Sequence, residues 1–275
     1  MNVNKLAIIA GTGELVENLI DASIDKNYEL TILSINNPKI QNDDRYNLVQ
    51  LDKINLKLIF KILQHQKITH ICMAGYVDRP NRLLDFLNPF SIVLLFKFWR
   101  ILERGDAALF KLLNKYIEQK GFKIIGASEI NPNLTLIEGL YSKKKVPKSE
   151  LRNLKLAEDR VEIIGSLDIG QSAVISKGRV LAVEAAEGTD EMLLRVIKLN
   201  SKKIKNNGII FKSSQKQQDL RTDMPTIGVK TIKLLAQAKL SGIAITAGDV
   251  MVLSVDQVIK LINDNGLFFI VLKKK

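Results

Sequence analysis

KLAIIAGTGELVENL, Lys5–Leu19, decides how the first half of the chain is read. A short apolar run ends in Gly-Thr-Gly. Behind it, Leu15, Leu19, Ile20 and Ile24 recur at helical spacing along Glu14–Lys26. This is a strand, a tight turn and a helix start. Backbone N–H groups at such a start, approached closely over glycine, favour phosphate. Gly11, Thr12 and Gly13 are therefore candidate phosphate or nucleotide contacts, with an ordinary tight turn as the alternative. A dinucleotide is not favoured. The position where Gly or Ala would let helix and strand pack closely is Val16, and the next strand ends in Ser34-Ile35-Asn36, without an acid for a ribose.

Outward from there the alternation continues. Glu29–Ser34 reads as a strand, Asn55–Gln66 as a helix and Ile68–Ala74 as a strand, which predicts βαβ units, a parallel sheet and helices on both faces. Ser91–Gln119 reads as mostly helical, interrupted near Arg104-Gly105, and Gly121–Ile125 as a further strand. Pro132, Gly139, Pro147 and the Lys143-Lys144-Lys145 run change the composition, so 131–148 is expected to be a linker between domains at 1–130 and 149–275. Past it come a helix over Ser149–Ser166, a hairpin over Ser172–Val183 turning at Gly178, a strand at Gly208–Phe211 and a helix over Gly228–Leu240. GIAIT, DVMVL and GLFFIVL read as strands, with a helix from Ser254 to Asn263 between the last two. The expected class is α/β: a parallel-sheet N-terminal domain and a distinct mixed α/β C-terminal domain.

The bulk composition narrows the function classes. At 46% hydrophobic and 25% charged, the 275 residues suit one large or two ordinary globular domains. A single cysteine, Cys72, sits in the apolar run ITHICMAG and reads as a buried small hydrophobe. No cysteine set and no recognisable spacing of His65 and His70 supports a metal finger. The apolar stretch Pro89–Leu102 is broken by Lys97 and Arg100 and is too short to span a bilayer. It reads as a buried connecting helix or dimer face, or else as a contact for acyl chains. No signal-peptide pattern opens the chain, and a cytoplasmic setting is expected. A net charge of +12 admits nucleic acid or an anionic membrane surface as partners, or a composition bias with no partner. Aromatics are only 6% of residues, so no stacking face supports a nucleic-acid-binding protein. The other rival is a nucleotide-binding oxidoreductase of Rossmann type.

Three further stretches carry candidate chemistry. AGYVDRPN, Ala74–Asn81, leaves the carboxyl end of a parallel strand, where Arg79 can clamp a phosphate and Asp78 can bind a metal or pair with Arg79. LAVEAAEGTDEMLLRV, Leu181–Val196, gathers Glu184, Glu187, Asp190 and Glu191 around Gly188-Thr189. A turn and N-cap at Gly188-Thr189 explains Asp190 and Glu191, which complement the helix dipole. It does not explain Glu184, expected to point inward, or Glu187; acids there suit a hard cation such as Mg²⁺, or can orient hydroxyls or cationic side chains. In QDLRTDMPTIG, Gln218–Gly228, Arg221 and Asp223 are two apart and share a face if extended; a carboxylate beside a phosphate-binding arginine and a helix start can carry a metal or align a water, with a basic loop around one buried acid as the alternative.

AGTGELVENL, AGYVDRP, RGDAALFKLL, DIGQSAVISKGRVLAVEAAEGTDEMLLRV, RTDMPTIG and GLFFIVL occur in that order. With them the sequence resembles the LpxI-type UDP-2,3-diacylglucosamine pyrophosphatases of lipid A biosynthesis, nearly end to end. The resemblance implies a Rossmann-like N-terminal domain, a C-terminal domain beyond a linker, and product held between them. It implies a Mg²⁺-dependent hydrolase in which water attacks the α-phosphorus, giving UMP and 2,3-diacylglucosamine 1-phosphate. Asp223 takes the place of the family's essential aspartate, with Arg221 beside it as a second catalytic candidate. Glu184, Glu187 and Asp190 join Asp223 as metal candidates. Gly11, Thr12, Gly13, Asp78, Arg79, Gln171, Gly188, Thr189 and Lys212 are the substrate-binding candidates. One departure is visible: a Lys-Pro pair is expected upstream of Arg221, where this chain has Gln215-Lys216, while Lys212 matches. The implied partners are the lipid nucleotide, the cytoplasmic leaflet of the inner membrane as a peripheral surface, and a second copy of the chain in a homodimer, with no nucleic acid.

Overall fold

The computed structural model describes residues 4–37, 39–52, 54–77, 106–200 and 208–274. It falls into two compact units. The first is Met1–Pro132 together with Arg221–Asp223, and the second is Asn133–Leu220 together with Met224–Lys275.

The first unit is a doubly wound sheet. Strands β1 (Lys5–Ala10), β2 (Glu29–Ile35), β3 (Asn47–Leu51), β4 (His70–Ala74) and β5 (Lys123–Ile124) lie in the order β3-β2-β1-β4-β5. Every pairing is parallel. This is the Rossmann order, and its reversal point lies between β1 and β4. β1 is covered on both faces, which is why Leu6, Ala7 and Ile8 are all fully buried and the strand does not alternate. Helix α1 (Glu14–Asp25) buries Leu19 and Ile20 of the expected stripe, with Val16 and Ser23 beside them, while Leu15 and Ile24 at its edges are only half-buried. Helix α2 (Leu56–His65) starts at Asn55, whose side chain accepts from the Leu58 amide at 3.1 Å. Its Ile59, Phe60 and Leu63 pack with Leu33, Ile71 and Ile124. Helices α3 (Asp106–Gln119) and α4 (Ala127–Ile130) complete the unit among the described residues. The expected helical stretch from Ser91 to Arg104-Gly105 lies outside them, as does Pro89–Leu102. Strand β3 was not foreseen from NLVQL. Its two polar residues mask a strand that exists because Leu48 and Val49 pair with Ile32 and Leu33.

The second unit is a mixed sheet between helices. Its strands are β6 (Gly139–Leu140), β7 (Ser172–Ser176), β8 (Arg179–Val183), β9 (Ile209–Lys212), β11 (Gly242–Thr246) and β13 (Phe268–Leu272), in the order β6-β13-β11-β9-β7-β8. A small separate pair joins β10 (Thr226–Ile227) to β12 (Met251–Val252). Strands β9, β11 and β13 are parallel, and the flanking pairings are antiparallel. Alternation along the strands sorts the core into two layers. Ile209, Phe211, Ala244 and Phe268 pack with Ala157 and Val161 of α5 (Leu151–Ser166). Ile210, Ile243, Ile245 and Phe269 pack with Met192 and Val196 of α6 (Gly188–Asn200), with Ile232 and Leu235 of α7 (Val229–Gln237) and with Val258 and Ile262 of α8 (Val255–Asp264). Lys177 (φ 51°) and Gly178 (φ 74°) turn the β7–β8 hairpin with two positive φ values, the twist a two-residue hairpin loop needs.

Residues 133–148, expected to link the domains, are built into this second unit. Gly139 pairs with Val271 on β13, and the Ser142 hydroxyl accepts from the Phe269 amide at 2.9 Å. The lysines at 143–145 are exposed beside this edge strand, where charge discourages further pairing. The composition that suggested a linker is that of a guarded sheet edge.

Candidate active site

In the second unit the chemistry gathers where the strands end. Lys212 closes β9 and lies directly across from Ser172, which opens the antiparallel β7. Glu184 follows β8, and its amide donates to the Ser172 carbonyl at 2.9 Å. Thr189 lies in the first turn of α6. Four side chains from four elements thus meet. The Lys212 ammonium donates to the Thr189 hydroxyl at 2.5 Å and stands 3.4 Å from Glu184 Oε2. The Thr189 and Ser172 hydroxyls donate to that same oxygen at 3.0 and 2.5 Å. The Lys212 and Glu184 side chains are 3% and 5% exposed, so this is a buried ion pair with hydroxyl bridges. Gly170 lets the loop before β7 close on it. A Cβ there would lie 1.9 Å from the Glu184 carbonyl oxygen.

Glu184 points inward, as expected. Asp190 and Glu191 stand in the first turn of α6, as expected, but the Thr189 hydroxyl goes to Glu184 rather than to the helix start, and Glu187 and Asp190 each meet a cation. Glu187 pairs with Arg195. Its own backbone amide, and Arg195 with it, hold its carboxyl below the usual range. Asp190 reaches across to α7, accepting from Thr231 at 3.0 Å and pairing with Lys230 at 3.0 Å. Among the described residues no group of three or more His, Cys, Asp or Glu side chains could hold a metal ion. Glu184, Glu187 and Asp190 are turned toward three different cations, and as arranged they do not fit a shared Mg²⁺ site. The charges of these three acids are met within the protein.

A row of polar groups at the same strand ends escaped the sequence reading. The Thr246 hydroxyl donates to Ser213 at 2.9 Å, and Ser214 donates to Asp249 at 2.8 Å. Lys274 also bonds Asp249, at 2.6 Å. Asp249 is buried. Its visible signal is a polar TAGD directly after the apolar GIAI. Gln171, a substrate-binding candidate, accepts from the Gln218 amide group at 3.3 Å, and its carbonyl receives the Ser213 amide at 3.0 Å. Gly188 begins α6 with φ 83°.

In the first unit the glycine turn stands at the sheet's reversal point, but two of its amides are used by the protein. Gly11 N–H donates to Ala74 and Thr12 N–H to Tyr76, both at 2.8 Å, and Tyr76 returns a bond to Thr12 at 2.7 Å. Gly11 is there because a Cβ would fall 2.3 Å from the Tyr76 carbonyl oxygen. Gly13 (φ 116°) sits at the N-cap of α1. Arg221 and Asp223 group with this unit. Arg221 donates to Glu118 of α3 at 2.7 Å, and Thr222 between them accepts from the buried Asn114 at 2.9 Å. The tripeptide is thereby fastened to one helix, with Asp223 half-buried. Asp78 and Arg79 lie outside the described residues.

A Rossmann-ordered parallel unit followed by a mixed-sheet unit with polar chemistry at its strand ends makes this a two-unit α/β protein. The family model of the LpxI N-terminal domain matches residues 5–134, and that of the LpxI C-terminal domain matches residues 137–270. The chain belongs to the LpxI family. It is 33% identical over 270 residues to a Caulobacter vibrioides protein named UDP-2,3-diacylglucosamine pyrophosphatase LpxI, covering 97% of this chain and 96% of that one. A solved isoflavone reductase aligns over 99% of this chain and 79% of its own at 12% identity, with a TM-score of 0.28, too low to carry an argument.

Proposed function

We propose that this chain hydrolyses the pyrophosphate of UDP-2,3-diacylglucosamine. The observation that carries the reading is the match over 97% of the chain to a relative named for that activity, with both LpxI domains present. Water attacks the α-phosphorus. A bond forms from the water oxygen to that phosphorus, and its bond to the bridging oxygen breaks. UMP keeps the new oxygen, and 2,3-diacylglucosamine 1-phosphate leaves with the bridge. Asp223 takes the water's proton or aligns its lone pair. Arg221, which pairs with Glu118, presents a planar guanidinium of the kind that recognises phosphate oxygens. Lys212 supplies positive charge at the strand ends of the second unit.

Mg²⁺ fits this reading as an ion held by Asp223 and the substrate's own oxygens, since it commonly takes one or two carboxylates plus phosphates and waters. When bound it polarises the phosphoryl group and lowers the pKa of a coordinated water. The oxidoreductase reading finds less support. Two amides of its glycine turn are spent on Ala74 and Tyr76, and Val16 is fully buried where a small residue would be wanted.

The test is turnover of UDP-2,3-diacylglucosamine in ¹⁸O-water. Label is expected in UMP. Label in the sugar phosphate would move the attack to the other phosphorus, and absence of hydrolysis would overturn the function. Asp223→Asn is expected to lower kcat by roughly 10²–10⁴-fold without changing the fold, and unchanged turnover would remove Asp223 from the chemistry.

A further inference from the structure

Glu184 was a metal candidate as an acid at a strand end, yet its surroundings are those of a counter-ion. Its Oε2 receives two hydroxyls, from Ser172 and Thr189, and the Lys212 ammonium stands 3.4 Å away. A metal ion on that oxygen would be pressed against the ammonium 3.4 Å away, and the two like charges would repel. The hydroxyl order is also set. Thr189 donates to Glu184, so its lone pair faces Lys212 and accepts from it at 2.5 Å. Carboxylate, hydroxyl and ammonium form a closed triangle that fixes where Nζ stands.

We propose that Glu184 is a positioning residue: through Thr189 and directly, it holds the Lys212 ammonium at the strand ends for a phosphate of the substrate, and it is not a metal ligand. This rests on the pyrophosphatase reading and names the group that recognises the anion in the second unit. A buried ion pair is a poor way to stabilise a fold, since apolar replacements of such pairs are often neutral or better. A functional pair has reason to stand here. Lys212, Glu184 and the first turn of the thirteen-residue α6 occupy the carboxyl ends of β9 and β8, where open α/β sheets receive their ligands. A cation already oriented by folding loses little freedom when a phosphate arrives.

The test uses the full chain. Binding of UDP-2,3-diacylglucosamine is measured by calorimetry in EDTA, and steady-state rates are measured across a Mg²⁺ titration. Glu184→Gln is expected to weaken metal-free binding and to raise KM, each by about tenfold or more, with kcat changed far less. The Mg²⁺ concentration giving half-maximal rate is expected to stay within about twofold of wild type, because no ligand to the metal has been removed. Glu184→Asp should recover part of the binding. Should Glu184→Gln fail to fold, Glu184→Gln/Lys212→Met removes both charges and serves instead. That variant is expected to bind as weakly as Lys212→Met alone, with the Mg²⁺ requirement again unmoved. Unaltered metal-free binding in Glu184→Gln would overturn the proposal. So would a raised Mg²⁺ requirement, or wild-type binding that appears only with Mg²⁺. A wild-type chain that neither binds nor hydrolyses the lipid nucleotide would instead overturn the functional reading beneath it.

Discussion

At the scale of single residues, close approach decides more than chemistry does. Gly170 sits where a Cβ would lie 1.9 Å from the Glu184 carbonyl oxygen, so Gly170→Ala must push the loop before β7 off the segment that carries Glu184. Forcing a methyl into a packed contact costs about 1–3 kcal/mol, and urea unfolding should show a loss of that size or greater. Gly121→Ala makes the control. Its Cβ meets nothing within 4 Å, and only its left-handed backbone (φ 89°) resists the change. Cys72 offers a second check. Burial pushes its thiol up to about 12, helped by the charge of Glu129, and the side chain is fully enclosed. A disulfide reagent at a pH of about 8 should leave it untouched in the native protein and modify it at once in denaturant. Rapid native labelling would mean that β4 opens easily. The sequence context, an apolar run with no cation nearby, already marked this cysteine as packing.

Among the elements, α2 depends on a local signal that can be removed cleanly. Asn55→Ala deletes the acceptor of the Leu58 amide and should cost about 0.5–2 kcal/mol, with Asn55→Asp nearly neutral. Thermal melting of the three chains gives the ordering. Signals of this kind were legible beforehand. The βα turn after β1, the Asn55 start and the Gly178 hairpin all announce themselves within a few residues, and α1 does so as a helix though its buried stripe is centred on Val16, Leu19 and Ile20 rather than on Leu15 and Ile24. Strand β3 did not, because its place is decided by a partner strand far along in sequence. The same holds for the edge strand β6, where prolines and lysines suggested a linker. For the candidate site the division is similar. Residue types pointed to Glu184 and Thr189, and the family resemblance to Lys212, but spacing could not show that these meet one another. Lys212 is 28 residues from Glu184, and only the antiparallel register of β7 on β9, which sets Ser172 opposite Lys212, brings them together. Asp249 went unnoticed for the same reason, since its partners Ser214 and Lys274 come from other strand ends.

For the whole molecule the open quantity is charge. The chain carries a net +12, and internal pairing accounts for Glu184, Glu187 and Asp190 without using up that excess. Among the described residues no helix is long and apolar enough to cross a membrane. If a lipid nucleotide is the substrate, the surface that delivers it is anionic, and each basic side chain near such a surface contributes on the order of 1 kcal/mol. Those contributions act through water and are screened. Raising ionic strength from about 0.1 M to about 1 M shortens the screening length from about 10 Å to about 3 Å. Sedimentation with vesicles should therefore show binding to phosphatidylglycerol-containing bilayers that falls steeply over this range, and little binding to neutral phosphatidylcholine. An inserted apolar helix would respond in the opposite way, holding the protein on both vesicle types at high salt. Salt-resistant binding would shift the explanation from the lysines to buried apolar surface. No binding at low salt would leave the positive charge as a matter of composition, with the substrate reaching the protein by another route.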